Sequence, residues 1–382
     1  MEVFDPVAAG VNPRENRNAV NGITPAADSR GFTPAATSLL GHATFDIRRV
    51  AFDNPRVFPR LLTLLQFTRI ALVFTAVGDG WAAMLLHRRA TGEPITPGYA
   101  AAVTVASIAL YTFGMTLNDL IDRRRDSQLA PGRPLPSGRI SVATARAVCI
   151  GLAVLALAAG GAMVAIKPHQ WHSLPVLALT LGLIAFYDFA GKYLVAPGLL
   201  TLGLVRGVHA AIAAPDLTIP WHPIVLLTHV TILSTVCYHL EGKRPRLTLR
   251  HWLAVLSGLL AAVAIFVAEP LSRLPEGLRW VDALWVRPPL FYAAAAAVTF
   301  TAFAVTLRLR HRDPRQAGRQ IMLYGLLWLI VYDAGFVGGY VGRWPALIVL
   351  SLLPLALLSV QAMRAWSKLV ELSQRPQYQR AR

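Results

Sequence analysis

The chain has 382 residues, of which 55% are hydrophobic and only 15% charged, and its mean hydropathy is +0.49. A water-soluble domain carries about 25% charged residues, so this composition excludes an ordinary soluble enzyme and points to a chain solvated by lipid, where unpaired charge is costly. The net charge of +17 would suggest nucleic acid in a soluble protein, but the bases sit in short segments between apolar runs, as membrane orientation and anionic headgroups require; nucleic acid is excluded as a partner.

Residues 1–60 contain no apolar run long enough for a signal peptide, because Asp5, Arg14, Glu15 and Arg17 interrupt it. They are predicted to form a disordered cytosolic tail, with an amphipathic interfacial helix over 45–60. A membrane-spanning helix needs about 20 mostly apolar residues. Segments that meet or approach this are 61–86, 99–120, 144–166, 173–189, 198–214, 223–238, 252–268, 289–307, 320–341 and 345–363. Breakers at Gly92-Glu93-Pro94, Pro215-Asp216, Pro220, Glu269-Pro270 and Pro288 separate them. The predicted fold is all-α: a polytopic membrane bundle of nine or ten helices over 61–363, followed by a basic cytosolic tail at 364–382. Cys149 and Cys237 lie within apolar runs and read as small core hydrophobes.

Three basic segments share one side when ten spans are counted. They hold Arg123, Arg124, Arg125, Arg133 and Arg139; Lys243, Arg244, Arg246 and Arg250; and Arg308, Arg310, Arg312, Arg315 and Arg319. The positive-inside rule makes that side cytoplasmic, with Arg88-Arg89 as the exception. A multi-pass protein of a bacterial inner membrane is the expected setting.

The second span runs into Asn118-Asp119-Leu120-Ile121-Asp122-Arg123-Arg124-Arg125-Asp126. Positions i, i+4 and i+8 of a helix drift by only about 40° per step, so Asn118, Asp122 and Asp126 form a stripe with Asp119 beside it. Carboxylates gathered on one face repel unless a cation sits among them, and an all-oxygen donor set suits Mg²⁺. Magnesium held this way usually completes its shell with phosphate oxygens, and the flanking Arg123–Arg125 and Arg133 can hold phosphate. The chemistry indicated is a diphosphate at the cytoplasmic end of a membrane cavity.

The string Asn118-Asp119-x-x-Asp122-x-x-x-Asp126, followed by Arg133-Pro134-Leu135-Pro136-Ser137-Gly138, resembles the first signature of the UbiA superfamily of intramembrane prenyltransferases. The resemblance implies a bundle of usually nine helices, a Mg²⁺ cofactor and a prenyl diphosphate donor. It also implies a second acidic motif, Asp-x-x-x-Asp, between the fourth and fifth helices. Asp188 matches the first position there, but Lys192 stands at the second, which leaves a second metal site open and offers a point charge for diphosphate. The form Tyr187-Asp188-x-x-Gly191-Lys192 is similar to the EboC-like branch, and Leu204-Val205-Arg206-Gly207 also resembles the family. Carried onto this chain, Asp119, Asp122 and Asp188 are the expected catalytic carboxylates. Asn118, Asp119, Asp122, Asp126 and Asp188 are the expected metal ligands. Arg133, Lys192, Arg69 and Arg206 are the expected diphosphate contacts.

Ionisable residues within spans are functional candidates. Asp79 is either a cavity residue near metal or acceptor, or a helix–helix polar contact. Arg206 either binds diphosphate or pairs structurally, and Asp333 reads as an interhelical hydrogen-bond partner. Tyr187 could face a developing allylic cation, whereas Phe186 and Phe189 belong to the interfacial belt. Glu241 is either a general base or part of a basic loop. His169 and His172 read as far-side loop residues. The reaction indicated is transfer of a prenyl group to an acceptor the sequence does not identify, aromatic or otherwise, with membrane lipids as surroundings. The rivals are a non-catalytic isoprenoid- or lipid-binding protein and a transporter.

Overall fold

The computed structural model describes residues 57–374, apart from 275 and 278. The tail expected before residue 57, with most of the interfacial helix expected over 45–60, lies outside the described residues. Helix α1 spans Val57–Phe67; a 3₁₀ turn at Ile70–Leu72 leads into α2, Val73–Thr91. Helix α3 is Pro97–Ile121, opened by Thr96, whose side chain accepts from the Tyr99 amide, and by proline in its first turn. A short α4, Arg123–Leu129, follows, then α5, Val142–Ile166, capped by Ser141. Next come α6, Ser173–Phe189; α7, Val195–Ala211; α8, Trp221–Leu240; and α9, Leu249–Ser272. The chain ends with α10, Trp280–Ala283; α11, Leu290–Arg310; α12, Pro314–Tyr340; α13, Arg343–Leu350; and α14, Leu352–Gln374.

The single first span predicted over 61–86 is two helices. Arg69 takes a left-handed conformation, φ 49°, between them, so α1 is a separate element and the crossing begins at Ile70. Among the described residues nine helical segments are long and apolar enough to cross a membrane, α13 and α14 counting as one. Helix α7, at the fifth of the ten expected segments, has only 17 residues, about 25 Å of helix against a hydrocarbon core of about 30 Å.

Helices α2, α3, α8 and α12 are mostly buried, whereas α5, α6, α9, α11 and the α13–α14 segment are mostly exposed. Helix α2 packs on α3, α7 and α12; α8 packs on both α7 and α12. The outer helices expose Ile150 and Val154 on α5, Leu256 and Leu260 on α9, Val298 on α11 and Leu358 on α14. Burying each such side chain is worth about 1.5–3 kcal/mol, so a continuous belt of them requires lipid around it. The protein is an integral, multi-pass membrane protein.

Helices α7 and α8 approach unusually closely. A Cβ built at Gly203 would lie 2.0 Å from Thr231 Oγ1 and 2.6 Å from the Leu227 carbonyl oxygen. Backbone atoms cannot yield as a flexible side-chain tip can, and small residues at such crossings let membrane helices meet. Gly203→Val is expected to lower the thermal midpoint in lipid by an amount consistent with overpacking, about 1–3 kcal/mol. Gly161→Ala, where nothing lies within 4 Å of the added carbon, is expected to leave the midpoint unchanged or raise it.

Candidate functional site

The last turn of α3 carries Asn118 and Asp119, both buried. The helical hydrogen-bond ladder continues past the end of α3, with the Asp122 amide donating to the Asn118 carbonyl at 2.9 Å and the Asp126 amide to the Asp122 carbonyl at 2.8 Å. Asp122 itself leaves helical geometry (φ −80°, ψ 1°), which separates α3 from α4. The stripe therefore keeps its backbone register, while its side chains turn to different partners.

Each carboxylate meets a base. Arg69 Nη2 donates to Asp119 Oδ1 at 2.6 Å, and Arg133 Nη1 donates to Asp126 Oδ2 at 2.6 Å. Lys192 Nζ donates to Asp122 Oδ1 at 2.7 Å and lies 3.6 Å from Asp188 Oδ1. Asp188 also accepts from Asn118 Nδ2 at 2.8 Å, which ties α6 to α3. Four carboxylates thus face three fixed cations, leaving a patch that is nearly neutral and compact. Few charges buried at this depth are stable unless paired in this manner.

The loop after α4 positions Arg133. Leu135 and Ile140 are buried against Phe67 of α1 and Ala145 of α5. Arg139 donates to Gln66 Oε1 at 3.0 Å and to the Gly132 carbonyl at 2.6 Å, closing the loop on itself and onto α1. Gly138 (φ 74°) supplies the left-handed turn that side chains resist. The Arg-Pro-Leu-Pro-Ser-Gly string is therefore a buckle fastened over the acidic end of α3.

A family model described as the UbiA prenyltransferase family matches residues 71–317, well over half of the chain. The chain belongs to the UbiA prenyltransferase family. Among solved structures, this UbiA-family chain is similar to one described for digeranylgeranylglyceryl phosphate synthase in membranes, with 17% identity, 74% of this chain and 99% of that one covered, and a TM-score of 0.50. An apo UbiA homologue from Aeropyrum pernix K1 matches at 17% identity over 69% of this chain and 96% of that one, TM-score 0.45. A UbiA homologue from Archaeoglobus fulgidus bound to Cd²⁺ matches at 16% identity over 79% and 98%, TM-score 0.37. At these identities the likeness is one of fold. No curated protein matches the chain by sequence.

The candidate site of this UbiA-family chain brings together Asn118, Asp119, Asp122, Asp126, Asp188, Arg69, Arg133 and Lys192. Arg69 reaches it from the break before α2 and not from within a span. The oxygen-only donor set fits Mg²⁺ in its chemistry, and the Lys192 ammonium stands as a cation between Asp122 and Asp188. Among the described residues no three acidic, histidine or cysteine side chains converge as a ready metal cage. Arg124 and Arg125 are exposed, and Tyr187 is half-buried beside Asp188. Phe186 and Phe189 are exposed, 43% and 61%, at the belt. Glu241 pairs with Lys243 at 2.8 Å, next to Gly318.

Asp79 and Arg206 do not join this patch. Arg206 Nη1 donates to Asp79 Oδ2 at 2.6 Å, and Asp79 lies nine residues into the crossing that begins at Ile70, about 14 Å along the helix. In this structure the two residues form an interhelical ion pair.

A second cluster, at the opposite end of the bundle, escapes sequence reading. Glu93 accepts from Lys167 Nζ at 2.9 Å and from Gln170 Nε2 at 3.2 Å, and forms an ion pair with His169 Nε2 at 2.8 Å. Tyr99 Oη donates to Gln170 Oε1 at 2.6 Å, and Lys167 lies over the Tyr99 ring. The one available signal was that Glu93 and Lys167 occupy adjoining loops of one face.

Two predictions follow from these geometries. Burial pushes the Glu93 carboxyl up, but hydrogen bonds and charge from Lys167 and His169 outweigh it and hold the group at about 2. Its contribution to stability is therefore fully present above the ordinary value of 4.5 and lost as pH falls toward 2. Thermal midpoints measured across that interval should fall for the wild type, and Glu93→Gln should start lower and vary less. Lys192→Met leaves Asp122 and Asp188 facing each other without their shared cation. The variant should melt several degrees lower, and millimolar Mg²⁺ should raise its midpoint more than that of the wild type; equal Mg²⁺ shifts would show that Lys192 holds no cation position.

Proposed function

We propose that this UbiA-family protein transfers the prenyl group of an allylic prenyl diphosphate to an acceptor within the membrane, in a Mg²⁺-dependent reaction. The observation that carries the reading is the patch of four carboxylates and three bases at the mouth of an apolar bundle. The family generally catalyses prenyl transfer, and its enzymes in general use Mg²⁺. Asn118, Asp119, Asp122, Asp126 and Asp188 would hold magnesium here, which when bound neutralises the leaving diphosphate.

The chain's own residues do the rest. Arg133 and Arg69 present guanidinium forks, and Lys192 presents an ammonium, to diphosphate oxygens once these exchange with the carboxylates. The bond between the allylic carbon and the bridging oxygen breaks, and its electron pair departs with diphosphate. The acceptor supplies the pair for the new bond and releases a proton. Tyr187 turns an aromatic face toward the positive charge that develops on the prenyl carbon. The apolar helices house the prenyl tail and exclude water that would capture the cation. The basic loops argue for a cytoplasmic site in a bacterial inner membrane.

A second reading, a non-catalytic isoprenoid-binding protein, is favoured by Lys192, whose ammonium already satisfies Asp122 and approaches Asp188. Purified protein in lipid, given prenyl diphosphates of several lengths and a host-lipid extract, is expected to release inorganic diphosphate only with Mg²⁺. Asp119→Asn combined with Asp122→Asn should lower release at least about 100-fold. Tight binding without release would replace the proposal by the binding-protein reading; neither binding nor release from folded protein would leave only the fold.

A further inference from the structure

The bundle core contains a second constellation of ionisable groups that prenyl transfer does not use. Asp79 on α2, Arg206 and His209 on α7, His222 on α8 and Asp333 on α12 meet between the acidic patch and the opposite end. Asp79 and Asp333 are 0% exposed. One oxygen of each is well served. Asp79 Oδ2 accepts from Arg206 Nη1 at 2.6 Å, with His209 Nδ1 at 3.3 Å, and Arg206 also donates to Thr75 Oγ1. Asp333 Oδ1 lies 2.8 Å from His222 Nε2. The other oxygens, Asp79 Oδ1 and Asp333 Oδ2, have no hydrogen-bond partner among the described residues, and the two carboxyl groups lie within hydrogen-bonding reach of each other.

Both orphaned atoms are acceptors, so neither satisfies the other while both carboxyls are ionised. Asp333 Oδ2 sits where a Cβ on Gly78 would be, 2.7 Å away, so a larger residue at 78 would fill the place this carboxyl occupies. Around the pair, Ser107 reaches His209 at 3.2 Å, and Tyr111 is within electrostatic range of Arg206. Helices α13 and α14 close the outside with Val349, Leu352 and Ala356, and α11 contributes Ala293. Among the described residues, two carboxylates, one guanidinium and two imidazoles are therefore the charge gathered here. Protonating His222 would balance Asp333 overall yet leave the two carboxylate oxygens confronting each other. Only a positive charge between those oxygens removes the repulsion.

We propose that Asp79 and Asp333 share one bound proton, forming a carboxyl–carboxylate site in the core of the bundle. The O–H of one carboxyl donates to the free oxygen of the other, which satisfies both orphans with a single hydrogen bond. Arg206 keeps Asp79 the more anionic partner, and the proton resides on Asp333. His222 also lines a mostly apolar cavity of about 10 Å³ beside the turn at 214–219, room for about one water. The site is independent of the prenyl-transfer reading.

Infrared spectroscopy of the protein in lipid at neutral pH tests it. The wild type should show a protonated-carboxyl C=O band that shifts in D₂O. Asp333→Asn, whose amide can donate to Asp79 in the proton's place, should lose the band and melt within a few degrees of the wild type. Asp79→Asn should displace or abolish it and melt lower, because Arg206 loses its counter-charge. Should Asp333→Asn fail to fold, Asp333→Glu decides, since a shared proton keeps the band at a displaced frequency. A wild type without the band, or a band unmoved by every substitution, overturns the proposal. Stabilisation by Na⁺ over choline at equal ionic strength, with no carboxyl band, also overturns it and makes the ligand a monovalent metal ion.

Discussion

Opposite charges paired across helices are the interaction on which this structure depends. Inside a bilayer no water is available to solvate an isolated carboxylate or guanidinium, so each must find a partner within the protein. Asp119 with Arg69, Asp126 with Arg133, Asp122 with Lys192 and Asp79 with Arg206 answer that constraint, and all but the local Asp126–Arg133 pair join segments far apart in the chain. Hydrophobic packing between helices cannot do this alone, because lipid tails compete for the same apolar surfaces. The polar pairs choose which faces of α2, α3, α7, α8 and α12 turn inward.

The same pairs prepare the acidic end for its proposed work. A patch of carboxylates without counter-ions would repel itself apart, and one permanently neutralised would have no use for a metal ion. Here the cations stand outside the α-helices: Arg69 at a break between helices, Arg133 on a buckled loop, Lys192 on a 3₁₀ turn. Such groups can exchange from carboxylate to phosphate at small cost, because the charge they face is preserved. The deeper pair Arg206–Asp79 sits on helices packed on every side and has no such freedom, which fits it for holding the core together.

Family membership narrows the chemistry without naming the acceptor. The match over 71–317 covers the four carboxylates of the acidic patch and Asp79, Arg206, His209 and His222 of the core constellation but ends before Asp333, whereas the solved structures agree with this chain in fold at identities too low to transmit a substrate. The departure at Lys192 is the feature most particular to this chain: a fixed ammonium lies where the family pattern leads one to expect another carboxylate.

The sequence by itself determined the membrane class, the order of the crossings and the acidic motif. Apolar length and helix breakers are local properties, and the spacing of Asn118, Asp122 and Asp126 follows from helical periodicity. It was silent where partners come from distant segments. Nothing local marks the left-handed turn that lifts Arg69 out of a span toward Asp119, or tells that Lys192 reaches Asp122 across 70 positions. His222 reads as a loop residue beside Pro223, and Glu93 as a helix breaker's neighbour. Only the tertiary structure decided that His222 meets Asp333 and that Glu93 gathers Lys167 and His169. The reason is physical: periodicity states which face a residue occupies, but the cost of unpaired charge in lipid is settled by whichever helix the fold brings opposite it.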